Sequence, residues 1–117
     1  MNLEQRSGLT PLEMSAEEFK KAGHELVDQI GDFLNSFDRR AVTKGKLPSQ
    51  IRELLGDGSL PTQGVGTANE LLNQSAQLLF ENSLFNGHPM FFGYITSTPT
   101  PIGILSDMLA PLNEFTR

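Results

Sequence analysis

The sequence predicts a mainly α chain: three to four helices plus one short extended segment near residue 90. Two capping-box spacings carry that reading, Ser15 with Glu18 and Thr67 with Glu70. In such a box a hydroxyl takes one free helical amide and the carboxylate reaches back to another. Behind each box, apolar residues recur in steps of three and four, the period of a helix rather than a strand. A third start is marked by Thr100 and Pro101, an N-cap and N1 pair.

Taken in order, residues 1–14 hold no sustained period and include Gly8 and Pro11, so they read as a flexible N-terminal arm. The first helix follows Ser15. Phe19, Ala22, Leu26, Ile30, Phe33 and Phe37 form one stripe flanked by Val27 and Leu34, about six turns long. Arg39 and Arg40 suit its C-terminal end, where cations meet the negative pole of the dipole. Pro48 to Leu55 reads as a short helix stopped at Gly56, and Gly58, Pro61, Gly64 and Gly66 make an irregular linker. From Thr67 a second long helix runs through Leu71, Ser75, Leu78 and Leu79 to about Asn82. The stretch from His88 to Thr96 is dense in aromatic and β-branched residues, and Pro89 biases its neighbour toward extended geometry. The last helix opens at Thr100-Pro101 and runs through Asp107 and Leu109.

Composition narrows the function classes. At 117 residues the chain has the length of one domain, and a compact monomer of that size buries roughly two thirds of its unfolded surface. Only 38% of the residues are hydrophobic and none is tryptophan, so the core is expected to be marginal. Without cysteine there is no disulfide, thiolate zinc site or thiol nucleophile. Nine Lys and Arg against fourteen Asp and Glu, with the cations scattered, argue against a nucleic-acid partner. No apolar run has the length of a signal peptide or a membrane span, so the chain is read as cytoplasmic and without a membrane partner.

Most motif-like spacings carry no chemistry. His24 to Asp28 has one histidine where a zinc-protease helix needs two, and the helical wheel turns His24 and Asp28 away from the apolar stripe. Gly64-Val65-Gly66 lacks the third glycine and the preceding strand of a dinucleotide loop. Asn73-Gln74-Ser75 matches a glycosylation sequon that has no secretory signal to make it relevant. Lys20, Lys21, Lys44 and Lys46 all sit in polar surroundings, whereas a Schiff-base lysine needs a desolvated site. No serine has a histidine and carboxylate arranged around it.

The segment from His88 to Pro101 differs. It places three aromatics, four hydroxyl groups and three prolines in fourteen positions. Prolines pre-set the backbone, aromatics supply rigid apolar area, and hydroxyl groups orient a polar ligand. Two readings stand: the wall of a site, or a structural strand and turn whose aromatics fill a core.

The run from His88 through Gly103, with Leu105-Ser106-Asp107-Met108-Leu109 after it, closely resembles the N-terminal region of pyridoxal-phosphate-dependent amino-acid decarboxylases of the aromatic-amino-acid/glutamate decarboxylase group (group II). The Gly23 to Asp28 stretch in the first helix, Leu60-Pro61, and the helix leading to His88-Pro89 resemble the same family. The resemblance covers nearly all residues from Met14 to Asn113. It implies a helical N-terminal decarboxylase segment over 15–113, the wrapping and dimerisation segment of a fold-type I homodimeric enzyme, with 114–117 a divergent end. It implies a carboxy-lyase acting on an aromatic or acidic L-amino acid, with pyridoxal 5'-phosphate as the electron sink. On the same grounds Tyr94, Ile95, Thr96 and Ser97 are expected to line the pocket for the substrate side chain, Tyr94 and Ile95 as apolar wall and Thr96 and Ser97 through their hydroxyl groups. Phe91, Phe92 and His88 are expected to set packing.

No His-Lys pair exists in these residues, and the family's cofactor lysine follows a histidine. The chain is therefore expected to be a fragment, inactive alone, with no catalytic, cofactor-binding or metal residue of its own. Its cofactor would be bound by a large domain that it lacks. Two alternatives remain beside this reading: a stand-alone, non-catalytic dimerisation or interaction module derived from the family, and a small helical domain that binds a ligand on the His88 to Ser97 wall.

Overall fold

Three of the four described helices begin at a hydroxyl side chain that takes one of the first free amides. The computed structural model describes residues 14–64, 66–95 and 97–114. Helix α1 spans Ala16–Ser36; the Ser15 hydroxyl accepts from the Glu18 amide at 3.2 Å, and the Ser15 amide donates to the Glu18 carboxylate at 2.9 Å. A 3-10 turn, Phe37–Arg39, tightens its end, and Arg39 donates to the Asn35 carbonyl at 3.3 Å, as expected of a cation at a helix C-terminus. Helix α2 is Pro48–Leu55, closed by Gly56 at φ 74°, a left-handed backbone that only glycine adopts without strain. Helix α3, Ala68–Asn82, starts on the Thr67–Glu70 capping box, and α4, Pro101–Asp107, starts on Thr100. A second 3-10 turn, Ala110–Glu114, follows. The mainly α reading holds, with four helices and no strand among the described residues. The arm at 1–13, Val65 in the linker, and 115–117 lie outside the described residues.

Helices α1 and α3 pack together, and they alone among the described helices do so. Asn69 bonds Glu25, Asn73 bonds Gln29 and Phe80 stacks on Phe33. Both residue numbers rise together in these pairs, so the two helices run in the same direction and the connection through α2 carries the chain back. At 1.5 Å per residue α3 is about 9 Å shorter than α1, and it begins opposite Glu25. Ala22 and Phe33 are therefore buried and Leu26, Ile30 and Phe37 half-buried, while Phe19 lies beyond the reach of α3 and stays 62% exposed.

The packing face of α3 is not the one that its leucines mark. Leu71 and Leu79 are exposed, and the row that meets α1 is Asn69, Asn73, Ala76 and Phe80. The small Ala76 lets the backbones approach, and the asparagine amides find partners on Glu25 and Gln29 that a leucine row would leave unpaired.

The rest of the structure is open. Ala22, Phe33 and Ala76 are the buried apolar side chains among the described residues. The radius of gyration is 17.9 Å, where a compact domain near 100 residues has about 13 Å. The accessible surface is 10473 Å², against roughly 6,300 Å² for a folded monomer of this mass. Among the described residues α2 packs on no other element, and α4 packs only on the 3-10 turn after it. Helices of seven or eight residues are marginal in water without tertiary packing.

Candidate functional site

Five rings tie the end of the α1–α3 pair to the segment that follows it. Phe33 stacks on Phe80 with centroids 4.4 Å apart, and Phe85 tilts against Phe33 at 5.1 Å. Phe37 meets Phe33, Phe85 and His88 edge-on at 5.5 to 5.6 Å. Edge-to-face and offset contacts of this kind add about 0.5–1.5 kcal/mol each to the area they bury. Arg40 lies over the outer face of Phe33 at 4.9 Å, and the Phe85 amide donates to the Val42 carbonyl at 3.0 Å.

From this anchor the chain makes two turns in succession. The His88 amide donates to the Phe85 carbonyl at 3.1 Å, and the Phe91 amide donates to the His88 carbonyl at 2.9 Å. Between them the Met90 amide donates to His88 Nδ1 at 3.0 Å. His88 is 6% exposed. The loop closes on itself: a Cβ on Gly87 would lie 2.6 Å from Thr98 Cγ2, so that side chain rests directly on the glycine. A Cβ on Gly93 would meet the Phe91 ring at 2.6 Å, so Phe91 folds back over the backbone two residues on. The described residues between Gly87 and Thr98 thus have the features of an Ω-loop, with close ends and a side chain of their own folded inward.

The structure places three of the four predicted pocket residues, Tyr94, Ile95 and Ser97, at the outer part of this loop. Tyr94 is 83% exposed, Ile95 and Ser97 are exposed, and Thr96 lies outside the described residues. Among the described residues, Tyr94, Ile95 and Ser97 line neither of the two grooves that the helices form. His88 and Phe91 serve packing as expected, but Phe92 does not: it is 84% exposed, because Phe91 already covers the loop's inner side. Neither pairing along a sheet edge nor a ladder supports the segment among the described residues.

Two open grooves lie instead along α1 and α3. One of about 240 Å³ is lined by Arg40, Lys44, Phe80, Glu81 and Phe85 among others; the second, about 420 Å³, runs over Gln29, Phe33, Asn73 and Phe80. Glu81 sits between Lys44, which bonds it, and Arg40 at 3.7 Å. The hydrogen bond and charge of Lys44, helped by Arg40 and Lys46, hold the Glu81 carboxyl below the usual range. Glu25 is lowered too, first by the Asn69 amide that donates to it at 2.6 Å, with Asn73 and Lys21 adding to the effect. These groups are occupied in holding two helices together. Sequence reasoning missed them because Asn69 and Asn73 read as ordinary polar surface until α1 is placed beside them.

All four lysines are exposed, and Lys44 is engaged by Glu81. The described residues therefore do not form a site for pyridoxal phosphate, which needs a desolvated amine to hold its aldehyde. His24 and Asp28 face solvent, and no cluster of three or more His, Asp or Glu able to hold a metal occurs among the described residues.

Comparison with known proteins agrees with the decarboxylase resemblance. The chain is 29% identical over 97 residues to tryptophan decarboxylase 2 of Oryza sativa subsp. japonica, covering 83% of this chain and 19% of that protein. It is 28% identical over 99 residues to the aromatic-L-amino-acid decarboxylase of Bacillus atrophaeus, covering 85% and 20%. Phenylacetaldehyde synthase of Petunia hybrida is 28% identical over 97 residues, covering 83% and 19%. No family model matches and no solved structure matches. The chain is thus similar to proteins named as aromatic-amino-acid and tryptophan decarboxylases, and it spans about a fifth of the length of the curated relatives it matches.

Proposed function

We propose that the chain is the N-terminal part of a pyridoxal-phosphate-dependent carboxy-lyase for an aromatic L-amino acid, supplying dimer contacts and part of the pocket wall. The observation that carries this reading is the similarity over more than four fifths of the chain to proteins named as aromatic-amino-acid and tryptophan decarboxylases. Those names favour an aromatic over an acidic substrate. The open shape of the chain supports the rest of the reading. Leu47 just before α2, Leu54 and Leu55 on it, Leu71 and Leu79 on α3, and Ile102 and Leu105 on α4 all face solvent, so a partner or a further domain is needed to bury them. The enzyme would be a fold-type I homodimer of the cytoplasm; no described helix is long and apolar enough to cross a membrane.

In this reading the cofactor supplies the electron sink and a domain outside these residues holds it. The part played by this chain is recognition. Tyr94 and Ile95, exposed and carried on a closed loop, present apolar surface to the substrate ring, and the Thr96 and Ser97 hydroxyl groups orient its polar substituents. The test is the coding sequence beyond Arg117 and the protein it yields. A longer chain that shows cofactor absorbance, and loses it when the lysine of its large domain is replaced, supports the proposal; a reading frame that stops at Arg117 sinks it.

The exposed stripe Ile102, Leu105, Met108, Leu109 and Leu112 favours a second reading, a stand-alone dimerisation module. Sedimentation velocity on the 117-residue chain decides it. Association that grows with concentration supports the module, and a helical monomer at every concentration removes it.

A further inference from the structure

We propose that Asn86 is a site of spontaneous covalent modification, whose side-chain amide is lost to attack by the backbone nitrogen of Gly87. Asn86 and Gly87 are the central residues of the turn that the His88 amide closes on the Phe85 carbonyl at 3.1 Å. Both are exposed, and neither the Asn86 side chain nor the Gly87 amide takes part in a hydrogen bond. Glycine carries no side chain to shield its nitrogen, which can therefore reach the carbonyl carbon of the adjoining side-chain amide. The other described asparagines are held away from this chemistry. Asn35 lies inside α1 and Asn113 in the second 3-10 turn, Asn69 and Asn73 bond Glu25 and Gln29, and Asn82 donates to the Leu78 carbonyl at 2.8 Å. None of them precedes a glycine.

The reaction needs no reagent but water. Gly87 N forms a bond to Asn86 Cγ, the Cγ–Nδ2 bond breaks, and the proton of the Gly87 amide leaves with Nδ2 as ammonia. Water then opens the resulting succinimide at either of its carbonyls. Opening at Cγ restores the ordinary backbone and leaves aspartate. Opening at the main-chain carbonyl leaves isoaspartate, whose backbone runs through Cβ and Cγ and is longer by an atom. Either product adds a carboxylate to a stretch, residues 82–106, that has no Asp, Glu, Lys or Arg. Isoaspartate also lengthens the Phe85–His88 turn. That turn joins two anchors, the Phe85 amide on the Val42 carbonyl at 3.0 Å and the His88 ring against Phe37 with centroids 5.6 Å apart, so the added atom shifts one against the other. The site lies at the root of the segment that carries Tyr94 and Ile95, and it stands whether or not that segment faces a substrate.

The experiment incubates the folded 117-residue chain in a mildly alkaline buffer in which an isolated peptide of residues 83–90 loses its amide. Cleavage after Glu81 and Glu114 releases the 82–114 peptide, and tandem mass spectrometry locates each lost amide within it. The expected result is loss at Asn86 ahead of every other asparagine, with isoaspartate, scored by an isoaspartyl methyltransferase, in excess of aspartate. Asn86→Gln must close a larger ring and is expected to keep its amide over the same period. Asn86→Asp has the charge without the added backbone atom, so its His88 and Phe37 proton shifts should stay near those of the unmodified chain while those of the isoaspartyl form move. Asn86 intact in the folded chain, an earlier loss at Asn82 or Asn113, equal loss in Asn86→Gln, aspartate as the sole product, or an isoaspartyl form with unmoved shifts overturns the proposal. Masses and shifts are read without substrate or cofactor, so failure here leaves the proposed enzyme role untouched.

Discussion

Phe33 and Phe80 stack face to face, centroids 4.4 Å apart and 12° from parallel, at the point where α1 and α3 become one unit. Phe33 also touches Phe37, Phe85 and the Arg40 guanidinium, so one ring supports both the helix pair and the root of the loop. Truncation to alanine is expected to cost about 3–5 kcal/mol, the range for deleting a buried aromatic. Phe19→Ala on the same stripe is expected to cost about 0.5 kcal/mol or less, because that ring is 62% exposed. Urea melts followed at 222 nm measure both.

The Thr67 hydroxyl and the Glu70 carboxylate satisfy each other's amides at the start of α3. Thr67→Ala should lower stability by about 1 kcal/mol and Thr67→Ser by much less, as read from urea midpoints. The same substitution removes one of the two bonds that lower Glu70. Of these the bond from the Thr67 amide is the larger and survives, so the Glu70 carboxyl should rise only part of the way toward 4.5.

Glu25 and Glu81 join elements distant in sequence, and both carboxyls lie below their ordinary value of 4.5. The folded chain therefore holds those protons less readily than the unfolded one. The stability they contribute is whole above pH 4.5 and is lost as pH falls through the depressed folded values. Carboxyl carbon shifts should place both midpoints below 4.5, with Asn69→Ala raising that of Glu25 and Lys44→Met that of Glu81. Salt should weaken the Lys44 effect more than the Asn69 effect, since screening acts on charge and hardly on a neutral amide.

Gly93 lies under the Phe91 ring and Gly58 has nothing within 4 Å of where a Cβ would stand. Gly93→Ala should displace the ring, seen as a change in Phe91 proton shifts and a lower Tyr94 anisotropy. Gly58→Ala should leave both unchanged.

The helix starts were legible in the chain because capping is local: Ser15, Thr67 and Thr100 each bond an amide three residues on, and no distant contact is needed to make them do so. Gly56 ends α2 for the same kind of reason. The loop's boundaries could be read from its composition, but its closure could not. The contacts of Thr98 on Gly87 and His88 on Phe37 depend on where separate turns meet.

What the sequence by itself determined is the set of helices, their starts and stops, and the family resemblance carried by the His88 to Leu109 region, since these follow from hydrogen bonds and periodicities within a few residues. Only the tertiary structure decided that α3 turns Asn69, Asn73 and Ala76 to α1 and Leu71 and Leu79 to solvent. It also decided that Tyr94, Ile95 and Ser97 stand exposed while His88 is enclosed. The reason is that a helix with two usable faces has no local preference between them. The choice falls to whichever side gives its partner both close packing and satisfied polar groups, and that partner lies about forty residues away in the chain.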